Sequence, residues 1–243
     1  MNYPIEVCFV GASGLVGHEL LLLLAHIEHV SAIKAVSRSP MGKLPPRVDN
    51  IVMNLDYLQD HAEALKADVF ICCLGSTIKK AGSQAAFRKV DYDYVVQFGK
   101  IAEKAKAKKL LVISAMGADS DSKIFYNKVK GQMEEALYDL DIPQIELFRP
   151  SLILGERKEQ RRGEDFAKKL SPLLNTFMIG PLKKYRPIQA ETIAKAMAVA
   201  ALNFHEGRYV YESDEIQNIA DSLLPDTSED ESDSTGTENR QNP

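Results

Sequence analysis

Short apolar runs rich in β-branched residues alternate along the chain with longer stretches whose apolar positions recur every three to four residues. That alternation is the pattern of repeated strand–helix–strand units around a parallel sheet. Ile5–Val10 reads as the first strand and Leu15–His26 as the helix that follows it. Residues 32–37 and 50–54 read as the second and third strands. Residues 68–74 (DVFICCL) are apolar after Asp68, as a strand covered on both faces should be. A long helix is predicted over 92–107, with Val95, Val96, Ile101, Ala102 and Ala105 on one face. A strand at 110–114, a helix at 123–140 and a strand at 144–148 extend the series. The expected fold is α/β: a doubly wound, mostly parallel sheet with helices on both faces.

From Ser151 to Leu182 the periodicity weakens, which predicts a small C-terminal substrate lobe, irregular to about residue 185, over the sheet edge. Residues 186–189, the helix Ala190–Leu202 and a strand at 208–211 return to the main body. One domain over 1–212 is therefore expected, a size that a single core can fill. Residues 213–243 read as an acidic tail. After Pro225 the composition is dominated by Asp, Glu, Ser, Thr, Gly and Asn without an aliphatic residue, which predicts disorder.

Charge changes the picture only when divided by position. The net charge of −4 splits into −9 from Glu212 onward and +5 over the preceding residues. A mildly basic body suits an anionic small-molecule ligand, and the excess is too small and scattered for a nucleic-acid-binding stripe. Cys8, Cys72 and Cys73 sit in apolar runs without metal-ligand spacing, and the His residues form no ligand set, so no metal is expected. The longest aliphatic run, residues 20–24, is far too short to span a bilayer. Met-Asn-Tyr-Pro leads straight into the first strand with no cationic segment before an apolar stretch, so the expected compartment is the cytoplasm, with no membrane partner.

The candidate chemistry begins at Gly11-Ala-Ser-Gly14-Leu-Val-Gly17, which joins the first strand to the first helix. Such glycines make a tight turn, admit a pyrophosphate to the backbone and let helix and strand pack closely. Main-chain N–H groups and the positive end of the helix dipole then face the anion. The second strand ends Val36-Ser37-Arg38-Ser39 without an acid. A carboxylate there would bind the ribose 2′-hydroxyl of NAD, whereas Arg38 and the serine hydroxyls suit the 2′-phosphate of NADP(H).

Tyr126 and Lys130 lie four residues apart on the helix after the fifth strand, hence on one face. A phenol is a poor base near neutrality unless a cation favours its ionised form, which Lys130 can supply while reaching a nicotinamide ribose. Ser114 ends the fifth strand, at the sheet edge where such folds place ligands, with its hydroxyl available to hold a substrate oxygen.

These segments resemble a known group. GASGLVG, CCLGSTIKKAGS from Cys72, VDYDYV from Val90, SAMGAD from Ser114, YNKVKG and FRPSLILG from Phe148 are together similar to the atypical, extended-like short-chain dehydrogenase/reductases. Within that NAD(P)-binding Rossmann family the likeness is to the branch of HIV Tat-interacting oxidoreductases and their bacterial relatives, and spans about residues 5–211. The resemblance implies that Gly11, Ser13, Gly14, Leu15 and Val16 touch the cofactor phosphates and that Arg38 binds the 2′-phosphate. It implies that Leu74, Gly75 and Ser76 line the middle of the cofactor, Pro150 and Ser151 its nicotinamide end, and that Asp56 approaches the adenine. Ser114, Tyr126 and Lys130 take the catalytic positions. Where many core members carry an Asn in their proton relay, Asp91 stands here.

Two functional classes follow: an NADPH-dependent oxidoreductase of a small carbonyl compound, and an NADP(H)-binding regulatory or sensor protein with little turnover. An epimerase or dehydratase using transient oxidation is a third. Related folds often dimerise through helices flanking the sheet, so a homodimer is one assembly open to this chain, and the sequence alone does not choose it. The basic cluster Arg157, Lys158, Arg161 and Arg162 and the acidic stretch 229–238 read as solvated.

Overall fold

The computed structural model describes residues 4–155 and 180–222. Its centre is a seven-stranded sheet of order β3-β2-β1-β4-β5-β6-β9 in which every neighbouring pair is parallel. The strands are β1 (Ile5–Val10), β2 (Val30–Ser37), β3 (Val48–Val52), β4 (Val69–Cys72), β5 (Lys109–Ile113), β6 (Gln144–Arg149) and β9 (Gly207–Glu212). Between the last two lie β7 (Ile153–Leu154) and β8 (Ile188–Gln189), which pair in a separate two-stranded sheet. The order reverses between β1 and β4, so their C-terminal ends open a crevice at the sheet edge, the place where ligands bind in open α/β sheets.

Successive side chains of each central strand face opposite layers, which is why these strands read as unbroken apolar runs. Val7 and Phe9 of β1, Val69 and Ile71 of β4, and Leu111 of β5 enter one core with α1 (Leu15–His26) and α6 (Ala190–Leu202), through Leu20, Leu24, Ile193 and Met197. Cys8, Val10, Phe70, Cys72, Leu110 and Val112 enter the other, against α4 (Tyr94–Lys104) and α5 (Phe125–Tyr138). There the rings of Phe70 and Phe98 lie 5.1 Å apart, and Met133 and Leu137 close the layer. Each such side chain contributes about 1.5–3 kcal/mol by leaving water. The cysteines are part of this packing, and burial pushes the thiols of Cys8 and Cys72 up to about 12.

Several elements depart from the sequence-based reading. The third strand starts at Val48, and the helix expected over 92–107 begins only at Tyr94. Ahead of it stand two short helices, α2 (Ile78–Ala81) and α3 (Gln84–Arg88), and a π-type turn, Lys89–Asp93. Both helices carry side-chain caps, Thr77 Oγ1 accepting from Lys80 N–H and Ser83 Oγ from Ala86 N–H, each at 3.1 Å.

The boundary expected at residue 212 is also corrected. Ser213–Asp221 forms a helix, α7, started by a reciprocal capping box between Glu212 and Glu215, and it buries Ile216 and Ala220 in the first core. The acidic composition disguises a helix that is apolar on one face only. The remaining tail, the basic cluster at 157–162 and most of the expected lobe lie outside the described residues.

Candidate active site

Glycine chemistry shapes the turn between β1 and α1. Gly11 has φ +88°, and a β-carbon there would lie 2.5 Å from the Cys73 carbonyl carbon, so this turn and the exit of β4 touch through backbone alone. A β-carbon at Gly17 would meet the Gly11 carbonyl oxygen at 2.2 Å, so only glycine lets α1 start so close to the strand. Gly14 caps α1 without a side-chain hydrogen bond, and no acid occupies the first turn. Exposed Ser13 and Gly14 thus flank main-chain N–H groups that a diphosphate can take up, and the cradle fits a dinucleotide. Leu15 is half-buried and lies under Gly155, whereas the side chain of Val16 is buried in the core, so only its main chain can face a phosphate.

At the end of β2, Arg38 is exposed and makes no hydrogen bond or ion pair among the described residues. The Ser37 hydroxyl is committed internally: it donates to the Ser39 carbonyl at 2.6 Å and accepts from Asn50 Nδ2 at 2.8 Å. Asn50 also reaches the Ala35 carbonyl and the Met41 N–H, and so holds the loop that presents Arg38. Asp56, expected at the adenine, has a carboxylate already engaged by Lys89 Nζ and the Tyr94 hydroxyl, each at 2.7 Å. Those contacts hold its carboxyl below the ordinary value.

The structure gathers the expected catalytic positions at the exits of β4 and β5. Ser114 follows β5, buried, its N–H donating to the Phe148 carbonyl at 2.7 Å and its hydroxyl without a partner among the described residues. Met116 N–H donates to the Pro150 carbonyl at 3.0 Å, which ties the exits of β5 and β6 together. Tyr126 and Lys130 lie one turn apart on α5, and the Tyr126 ring packs 5.3 Å from Phe87. Lys130 Nζ is buried 2.9 Å from Asp91 Oδ1, also buried, as an ion pair without an aligned hydrogen bond. Asp91 sits by Gly75, where a β-carbon would come 3.8 Å from Oδ1. Burial raises the Asp91 carboxyl above its ordinary value, and burial likewise raises the Tyr126 phenol, with Lys130 opposing and Asp91 adding to the rise.

Two anchors of α5 escaped the sequence reading. A β-carbon at Gly131 would lie 2.2 Å from the Asp119–Ser120 peptide, so the helix and the loop after β5 meet at backbone distance. A mid-helix glycine costs stability and is itself a signal of such contact. Arg149, at the end of β6, grips the buried Glu134 with Nε 3.0 and 3.1 Å from its two oxygens, fixing α5 one turn beyond Lys130. Ser151, expected near a nicotinamide, turns elsewhere. Its N–H donates to Ser213 Oγ at 2.8 Å, its hydroxyl donates to the Arg186 carbonyl, and so it moors α7.

Comparison with known proteins agrees with this architecture. The HIM1 family matches residues 50–182. HTATIP2 of Rattus norvegicus is 33% identical over 68% of this chain and 69% of its own length. The FMP52 protein of Meyerozyma guilliermondii, named as mitochondrial, is 32% identical over 79% of this chain and 84% of its own. Among solved structures, WbmG of Bordetella bronchiseptica, in complex with NAD, superposes with a TM-score of 0.64 at 16% identity, covering 90% of this chain and 77% of that one. The fold is therefore the Rossmann-like fold of that NAD-bound protein. The cytoplasmic expectation is overturned, because fungal relatives across several species are named as mitochondrial. The helices of the described residues are too short or too polar to cross a membrane.

Proposed function

This chain belongs to the HIM1 family, and from that premise we propose that it is an NADP(H)-dependent oxidoreductase that reduces a small carbonyl compound. The observation that carries the reading is that one helix presents both Tyr126 and Lys130 at the sheet edge that holds Ser114 and the glycine cradle. Main-chain N–H groups at the start of α1 hold the diphosphate, and Arg38 holds the 2′-phosphate as a multidentate cation. Leu74, Gly75, Ser76 and Pro150 line the rest of the cofactor. When bound, the nicotinamide supplies the reducing equivalent. Ser114 orients the substrate oxygen, Tyr126 donates a proton to it, and Lys130 positions the nicotinamide ribose and sets the charge around the phenol.

A mitochondrial location is part of this reading and is supported by the names of the FMP52 relatives. Subcellular fractionation tests it: recovery outside mitochondria would remove it. The activity is tested by titrating NADPH and NADH, then offering a carbonyl panel to the native protein and to Tyr126→Phe. NADPH oxidation that disappears in the variant supports the reductase. Tight NADPH binding with no turnover on the panel would replace it with a cofactor-sensing protein.

A further inference from the structure

We propose that Asp91 is a positioning residue of this site, whose buried carboxylate anchors the Lys130 ammonium and offsets part of its charge, so that Tyr126 is kept as a phenol poised to donate a proton. The inference rests on the reductase reading above and adds the control of its proton.

The geometry begins with the π-type turn Lys89–Asp93. An extra residue in one turn redirects a side chain that would otherwise follow the α-helical track, and such insertions occur often at functional sites. Here the redirected side chain is Asp91, fully buried, under Gly75 and 2.9 Å from Lys130 Nζ. A buried ammonium and a buried carboxylate are each costly alone and tolerable only together. The nearest ionisable groups around Lys130 are Asp91 from the turn, Cys72 from β4, and Tyr126 from α5 itself. Cys72 is a neutral thiol at ordinary pH, since burial pushes it up to about 12. Glu134, the next acid along α5, is taken by Arg149. Lys130 therefore has a single close counter-charge among the described residues.

The consequence falls on Tyr126. A lone lysine beside a phenol favours phenolate, whereas a lysine paired at contact distance presents a dipole whose field decays much faster. With the pair intact, Asp91 opposes the pull of Lys130 on the half-buried phenol, and the cost of ionising it stays the larger effect. The protonated form is the one that carbonyl reduction consumes, and the phenolate is the one that alcohol oxidation needs. The pair thus biases the site toward reduction.

The test is a spectrophotometric titration of tyrosine ionisation, made without cofactor or substrate, so that an absence of turnover leaves it intact. Subtracting the curve of Tyr126→Phe isolates this residue from the other tyrosines. In the native protein the Tyr126 midpoint is expected above the free-tyrosine value of about 10. In Asp91→Asn it is expected to fall by about one pH unit or more, while Asp91→Glu restores the native curve. A purely structural pair would lower stability without moving this midpoint. A native midpoint below that of free tyrosine would overturn the proposal, and this arm stands even if Asp91→Asn fails to fold. A folded Asp91→Asn protein whose Tyr126 curve superposes on the native one would overturn it equally.

Discussion

Gly17 stands so close to Gly11 that a β-carbon on it would lie 2.2 Å from the Gly11 carbonyl oxygen, well inside van der Waals contact with backbone that cannot swing away. The contact locks the first turn of α1 onto the end of β1 and thereby aims the helix N-terminus at the crevice. Gly17→Ala is expected to cost about 1–3 kcal/mol of stability, as overpacking of a tight site does. It should also weaken NADPH and NADH together, because it displaces the helix N-terminus proposed to hold the diphosphate common to both. Thermal denaturation and calorimetry check this, and unchanged melting with unchanged binding would refute it.

Arg38 should discriminate between the cofactors. It stands exposed at the end of β2 without a partner among the described residues, and no acid adjoins it in sequence. A charge-assisted contact to a phosphate is worth about 1.5–3 kcal/mol, so Arg38→Ala is expected to weaken NADPH roughly 10- to 100-fold and to leave NADH nearly unchanged. Equal losses for the two cofactors, measured by calorimetry, would show that Arg38 does not read the 2′-phosphate.

Tyr126→Phe removes one oxygen and keeps the ring against Phe87. Cofactor affinity and melting temperature should stay close to native, while turnover falls by roughly 10²- to 10⁴-fold, the usual worth of a positioned acid. A variant with undiminished turnover would move the proton donor elsewhere.

Far from the crevice, at the opposite edge of the sheet, Lys109 and Glu146 lie 3.5 Å apart and fully buried, and Lys109 Nζ donates to the carbonyls of Ala200 and Asn203 at the end of α6. Burial lowers the lysine to about 8, against the opposing pull of Glu146. Between pH 8 and the ordinary lysine value of about 10.5 the unfolded chain holds this proton more firmly than the folded one, so raising pH across that window adds stability. Lys109→Met should be destabilised by about 3–5 kcal/mol, as a buried charge left alone is. It should also lose that rise, so the gap in melting temperature between native and variant widens from pH 8 upward. A constant gap would show that the lysine titrates as it does in water.

What the sequence made legible was local in origin. Gly11 and Gly17 announce a tight turn because no other residue tolerates that backbone approach, and the runs of β1, β4 and β5 announce strands covered on both faces because both faces are apolar. Arg38 was readable from its place at the end of β2, and the Tyr126–Lys130 pair on one helical face from their spacing. The supports of the site were not, because they join residues distant along the chain. Asp91 meets Lys130 only through a π-type turn that apolar periodicity does not register. Arg149 finds Glu134 only once β6 and α5 are packed. The Ser37 hydroxyl looked free to bind a phosphate and is instead consumed by Asn50 across the neighbouring strand. Helix α7 was hidden by acidic composition, which reflects its solvent face and says little about Ile216 and Ala220 beneath it.

That mooring of α7 sets where the chain can be shortened or tagged. Removing everything after residue 212 would strip Ser151 of its Ser213 partner and uncover the apolar flank of α6, disturbing the mouth of the crevice from behind. A cut placed after Ser222 leaves each of those contacts in place. Fusions and deletions aimed at the acidic end therefore have a natural starting point ten residues further along than charge alone suggests.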